Sequence, residues 1–376
     1  PELPFACLRF DDVTNLRTPA RLTDISSEWL THALTASGVI RDSAVEDVQI
    51  EAVGEGQGIS RDLARLKLSY RDFDAEAPLS LIAEISGNDP VAARNHWNPG
   101  VDPPELRFYR ELSGRTPLST PRFYHGEIDV ENRTNVILLE DLSPARAGNP
   151  VVGCSDEEEE LAVMSLARCH AQYWGDPAFE SARWPDSLAD VGIRSGRFYR
   201  ERAERFIDKF GDELSRDVKD LAIRLTDKVV FIHERLARPP ITLVHGDFQL
   251  QNLFFEESER GLHMTVIDWK EISRGRGPYD LAVFLGCYAR NTAKSDIDVV
   301  RTYHAALLRN GVSGYPFEEC LDDYKFAMLR CLSRVVNLMG LLDLNGEHEK
   351  ARMRIRLERA IQSVIELGAA ELLGGR

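Results

Sequence analysis

The chain has no excess of positive charge. Its 46 lysines and arginines are outnumbered by 61 aspartates and glutamates, a net charge of −15. This argues against non-specific nucleic-acid binding, which needs a basic surface. Such an acid excess mildly favours cationic or neutral partners; its plainer meaning is solubility. No apolar run approaches the roughly 18 residues of a membrane-crossing helix, so no membrane partner is expected. The opening Pro1-Glu2-Leu3-Pro4 lacks a basic segment followed by an apolar core, and no signal peptide is expected. The six cysteines, at 7, 154, 169, 287, 320 and 331, include no C-x-x-C pair and no Cys/His cluster. That argues against structural zinc and points to buried, reduced thiols in a cytoplasmic protein.

What is present is enough chain for about two packed units: 376 residues, more than one typical core holds. Residues 21–38 read as a helix, with Asp24 or Ser26 as cap and Trp29, Leu30, Ala33 and Leu34 as its apolar stripe. Strands are predicted at Val48–Val53, Leu63–Tyr70, Leu79–Ile85, Arg122–Ile128 and Asn135–Glu140, with a helix from Pro104 to Leu112 between the third and fourth. The order β-β-β-α-β-β describes one sheet with one helix. After a loop rich in Gly and Pro at 144–153, Ser155 and Glu158 form a capping box that opens a strong helix. From there the pattern is helical, interrupted only at 242–272. The expected fold is α+β and two-lobed: a helical extension at 1–47, a β-rich lobe at 48–142 and a mainly helical lobe at 143–376.

The interruption carries the chemistry. His245-Gly246-Asp247 is followed by four residues and then Asn252-Leu253-Phe254, and an apolar Val266-Ile267 leads into Asp268 sixteen residues beyond Asn252. Phosphoryl transfer needs a positioned nucleophile and neutralised phosphate charge, supplied largely by Mg²⁺. Magnesium takes hard oxygen ligands, one or two of them carboxylates, beside water and phosphate. Asn252 and Asp268 can supply two such oxygens, and Asp247 can accept a proton from a substrate hydroxyl. Taken singly, each of these residues is more simply a turn or cap; the combination is what points to chemistry.

These motifs resemble the signature of the aminoglycoside phosphotransferase and choline kinase superfamily, which has a protein-kinase-like fold. Ile267-Asp268-Trp269 with Gly277-Pro278-Tyr279-Asp280-Leu281-Ala282 is similar to its second motif. Leu138-Leu139-Glu140-Asp141-Leu142 and the early Glu28-Trp29-Leu30 resemble the ecdysteroid-kinase-like branch. The resemblance implies an ATP- and Mg²⁺-dependent kinase acting on a hydroxylated small molecule. Asp247 would be the base, Asn252 and Asp268 would hold the metal, His245 would brace the loop, and Asp280 would bond its backbone. The backbone of Glu140 and Leu142 would meet adenine, Leu253 and Ile267 would lie beneath the base, and Gly58 and Ser60 of the Gly54–Ser60 loop would cover the phosphates. Glu105 stands where the family has its helix glutamate. Glu84 stands where it has a basic strand residue. Either the register is displaced, or Lys67 or Arg61 supplies the charge, or the nucleotide site is weakened, which would make the chain a pseudokinase.

Overall fold

The computed structural model describes residues 17–53, 63–72, 77–86, 102–290, 294–343 and 346–374. It divides into two compact units, Pro1–Asp102 with Arg122–Asp141, and Pro103–Pro121 with Leu142–Arg376. Gly58, Ser60 and Arg61 lie outside the described residues.

The first unit is a five-stranded antiparallel sheet in the order β1-β2-β3-β5-β4. The strands are β1 (Val45–Ala52), β2 (Leu63–Tyr70), β3 (Ser80–Ser86), β4 (Phe123–Asp129) and β5 (Thr134–Glu140). Alternation along β2 turns Leu66 and Leu68 inward and leaves Lys67 exposed, paired with Glu51. Helix α1 (Ser27–Ala36) is capped by the Ser26 hydroxyl, which accepts from the Trp29 N–H. Its buried stripe of Trp29, Leu30, Ala33 and Leu34 shares one core with Leu66, Leu81, Val136 and Leu138, and Thr31 takes the N–H of Val45 at 2.9 Å. The early helix is therefore part of the sheet's core rather than a separate extension over 1–47.

The second division also differs from the sequence reading. Helix α2 (Pro104–Glu111) groups with the second unit. Its Phe108 ring stacks on Trp269, centroids 3.7 Å apart and planes within 8°. A contact between residues so far apart in sequence leaves no trace in local pattern, which is why the order β-β-β-α-β-β misassigns this helix.

The second unit is helical around two small sheets. Its helices are α3 (Asp156–Tyr173), α4 (Pro177–Glu180), α5 (Leu188–Gly196), α6 (Tyr199–Phe210), α7 (Arg216–Arg224), α8 (Val229–Leu236), α9 (Pro278–Leu285), α10 (Asp296–Arg309), α11 (Phe317–Leu341) and α12 (Glu347–Glu366). The Ser155–Glu158 capping box is formed at the start of α3. Strands β6 (Arg146–Ala147), β8 (Leu253–Ser258) and β9 (Gly261–Val266) make one sheet, and β7 (Thr242–Val244) with β10 (Ser273–Gly275) the other. The central α11 buries residues around much of its circumference and packs against α6, α8, α9 and α12. Among the described residues no helix is long and apolar enough to cross a membrane.

Gly340 sets the approach of α11 to α6, because a Cβ there would overlap the carbonyl of Arg202. Gly340→Ala should separate the two helices and destabilise the protein by about 2 kcal/mol, read as a lower urea midpoint. An unchanged midpoint would show that the pair relaxes freely.

Candidate active site

The site begins where β7 ends. Residues 245–252 run from β7 to β8, and β9 returns antiparallel with Leu253 opposite Val266. Just beyond that pairing the Ile267 N–H donates to the Asn252 carbonyl at 3.0 Å. This bond holds the loop carrying Asp247 and Asn252 beside the loop carrying Asp268. Gly246 has φ +87°, and a Cβ on it would overlap the Glu271 carbonyl, so the first loop lies directly on the second. Asp268 itself has φ 66° and ψ 66°, a left-handed conformation uncommon outside glycine.

Two buried side chains fix the loop. The Asp280 carboxylate accepts from the N–H of His245 at 2.6 Å and of Gly246 at 2.9 Å. His170 lies 3.3 Å from the same carboxylate and 2.7 Å from the Tyr303 hydroxyl, which ties the loop to α3 and α10. His245 Nδ1 accepts from the Asp247 N–H at 3.2 Å, so its proton is on Nε2, which donates to the Ile267 carbonyl at 3.0 Å. One imidazole thus spans both loops.

Asp247 is 8% exposed. Its Oδ1 pairs with Arg334 at 2.9 Å and its Oδ2 accepts from Gln249 at 2.6 Å. Asn252 donates its amide N–H to the Asp247 carbonyl at 3.0 Å, the bond that sets the D-x-x-x-x-N spacing. Burial works against charge on Asp247, but Arg334 and then Arg356 outweigh it and hold the carboxyl below its usual range. Asp247 is therefore ionised at any ordinary pH. Arg356, on α12, donates to the Gln249 side-chain carbonyl, so a chain of contacts runs from α12 through Gln249 to Asp247. Arg352, one turn earlier, donates to Gln251 at 3.0 Å.

On the second loop, Lys270 lies 3.7 Å from Asp268 and 3.8 Å from Glu105, and Glu105 also accepts from the Trp269 N–H at 3.2 Å. Glu105 is 4% exposed. Helix α2 is thus fastened to the Asp268 loop by an aromatic stack, a hydrogen bond and a charge pair.

A family description for phosphotransferase enzymes, APH, matches residues 93–319, more than half of the chain and every residue of both loops. The chain belongs to the phosphotransferase enzyme family. The match is to the family as a whole and does not single out the ecdysteroid-kinase-like branch. No curated protein matches. Among solved structures, a microcompartment-associated aminopropanol kinase is 16% identical with a TM-score of 0.53, over 92% of this chain and 98% of its own. Choline kinase LicA from Streptococcus pneumoniae is 13% identical with a TM-score of 0.49, over 85% of this chain and 95% of its own. The former shows the kinase-like fold.

Within this family member, Asn252 and Asp268 are the residues that would hold Mg²⁺, and they fit it. The Asn252 side chain bonds to Asp247 through its nitrogen, which leaves the amide oxygen for a ligand. Asp268 is one-third exposed, as a carboxylate shared with solvent and phosphate would be. Among the described residues no three His, Cys, Asp or Glu side chains gather around one point. One carboxylate and one amide oxygen completed by phosphate and water is a magnesium donor set, not a zinc one.

The remaining expected residues are placed as follows. Glu140 ends β5, with its N–H given to the Arg122 carbonyl at 2.9 Å. The neighbouring Asp141 is locked by Arg65 at 2.6 Å and Ser80 at 2.5 Å. The Leu142 carbonyl accepts from the Ala145 N–H. Leu253 is buried and Ile267 half-buried. Glu84 is buried in β3, between Leu63 of β2 and Ile137 of β5. No lysine or arginine occurs anywhere in Ser80–Ser86, so no shift of register puts a cation on this strand. Sequence reasoning missed Lys270, Gln249 and the arginines of α11 and α12. The signal for the last was there: Arg330 and Arg334 interrupt the apolar run from Phe326 to Val336 one helical turn apart.

Asp280→Ala should be the most damaging change remote from solvent. It leaves two buried backbone N–H groups without acceptors, at about 3 kcal/mol together. The expected result is a marked loss in urea midpoint; a loss below about 1 kcal/mol would mean that other acceptors reach the loop.

Proposed function

We propose that the protein transfers the γ-phosphoryl group of ATP to a hydroxyl of a small molecule, with Mg²⁺ held by Asn252 and Asp268. One observation carries this reading: a buried, ionised Asp247 fixed by Arg334 and Gln249, on a loop bonded to the loop of Asp268. Magnesium would supply neutralisation of the phosphate charge. Asp247 would accept a hydrogen bond from the acceptor hydroxyl and align its oxygen on the γ-phosphorus. As the new O–P bond forms, the bond from γ-phosphorus to the β–γ bridging oxygen breaks and ADP leaves. The hydroxyl proton passes to Asp247 late, because a carboxylate held this acidic is a weak base and acts mainly by orientation. Free thiols at all described cysteines would suit the reducing cytoplasm.

A second reading is nucleotide or small-molecule binding without turnover. It is favoured by Glu84, because β3 carries a carboxylate at the position where the resemblance leads one to expect a cation. Lys270 is the described cation nearest to Glu105, and under the first reading it would serve the phosphates from the Asp268 loop.

ATP with Mg²⁺ should raise the melting temperature, by the equivalent of about 2.7 kcal/mol at a hundred times its Kd, and Asp268→Ala should remove most of that rise. Asp247→Ala should keep the rise but lower turnover at least about a hundredfold. Binding with no turnover on any hydroxylated acceptor would leave the second reading standing, and no binding at millimolar nucleotide would end the first and reduce the second to small-molecule binding.

The pH profile offers a separate check. With Arg334 in place the Asp247 carboxyl is depressed, so turnover should show no acid limb from this group down to about pH 4. Arg334→Gln removes the principal opposing charge and leaves burial, which pushes the carboxyl up. The acid limb of kcat should therefore move to higher pH. An unmoved limb would mean that Arg334 does not set the charge of Asp247.

A further inference from the structure

The arginines around Asp247 exceed what one carboxylate needs. Arg330 and Arg334 stand one turn apart on α11, Arg352 and Arg356 one turn apart on α12. Arg330, Arg334 and Arg356 line a recess with Asp247, Gly286 and Cys287; it encloses about 20 Å³, room for about one water-sized group. The carboxylates facing this cluster are Asp247 and Glu271, both acting on Arg334, and Glu349, which with Asp247 acts on Arg352. Arg330 is 5% exposed, lies over the Tyr279 ring at 4.6 Å, and its Nη1 has no hydrogen-bond partner. The Nε atoms of Arg352 and Arg356 are likewise buried without partners. Burial and the neighbouring Arg356 hold the Arg352 guanidinium below its usual range. The cysteine lining the recess, Cys287, is pushed up by burial and stays a neutral thiol. In a chain of net charge −15, a cluster of four guanidinium groups, Arg330 buried and Arg334, Arg352 and Arg356 half-buried, with buried donors left unanswered on three of them, is a site suited to an anion.

We propose that the phosphoryl acceptor is itself an anion: a small hydroxylated carboxylate or phosphate ester. Its acid group sits on Arg330 and Arg356, and its hydroxyl, a few bonds away, meets Asp247. This rests on the phosphotransferase reading and names the acceptor class within it. It reverses the expectation drawn from net charge alone, since an amine acceptor would meet repulsion in this recess.

The test is thermal melting of the full chain in low-chloride buffer with malate, inorganic phosphate, ethanolamine or choline at up to tens of millimolar, each alone and with Mg²⁺ and a non-hydrolysable ATP analogue. Malate or phosphate should stabilise the protein, the amines should not, and the acid's effect should persist beside the nucleotide. A larger effect from malate identifies a hydroxy acid, and from phosphate a phosphate ester. Arg356→Gln and Arg330→Gln should each raise the apparent Kd for the acid at least tenfold and leave the nucleotide effect in place. The proposal is overturned if no acid stabilises, if the amines do so instead, if both variants respond like wild type, or if acid and nucleotide compete. Because melting needs no turnover, an acid effect without transfer to any hydroxy acid or sugar phosphate would sink the kinase reading and overturn the acceptor role, leaving only an anion-binding recess. Transfer to amino alcohols but not acids would sink this proposal alone.

Discussion

Both oxygens of Asp280 are taken by the backbone of the loop that carries Asp247. The carboxylate has no solvent exposure, and it reaches the rest of the second unit through His170 and Tyr303. Two consecutive N–H groups aimed at one carboxylate force the chain to turn at Gly246, and that turn lays the loop against the Glu271 carbonyl. Once the backbone is fixed there, His245 can span to Ile267 and Asn252 can reach the Asp247 carbonyl. The positions of the functional oxygens follow from where a buried charge is satisfied.

The second constraint is electrostatic. A carboxylate as buried as Asp247 would drift toward its neutral form, and the arginines of α11 and α12 prevent this while leaving Oδ2 to Gln249. Under the anion proposal, the same guanidinium groups that hold the charge would disfavour a cation in the recess. One set of side chains therefore bears on both the state of Asp247 and the kind of molecule that can approach it.

Much of this was legible in the sequence because it is local. The alternation of Leu66, Leu68 and Tyr70 gave β2 its two ends without error, the Ser155–Glu158 box marked the start of α3, and the spacing of Asp247, Asn252 and Asp268 picked out the two loops. What was not legible depends on side chains distant in sequence. Glu105 is separated from Trp269 and Lys270 by the whole of β4, β5 and six helices, and nothing in its own surroundings says that it faces them. The assignment of α2 failed for the same reason. The arginines on α11 and α12 fall on helices whose patterns say only which face is buried. A charge on that face was the sign that the face does more than pack.

The tether from Arg352 and Arg356 to Gln251 and Gln249 orders events in time. A ribosome makes residues 245–252 a hundred residues before it makes the helix that holds them. The region matched to the family closes at residue 319, short of all four arginines. A nascent or truncated chain can carry every recognisable motif and still lack the contacts that fix its loop, so the loop waits for α12 before its tethers can form.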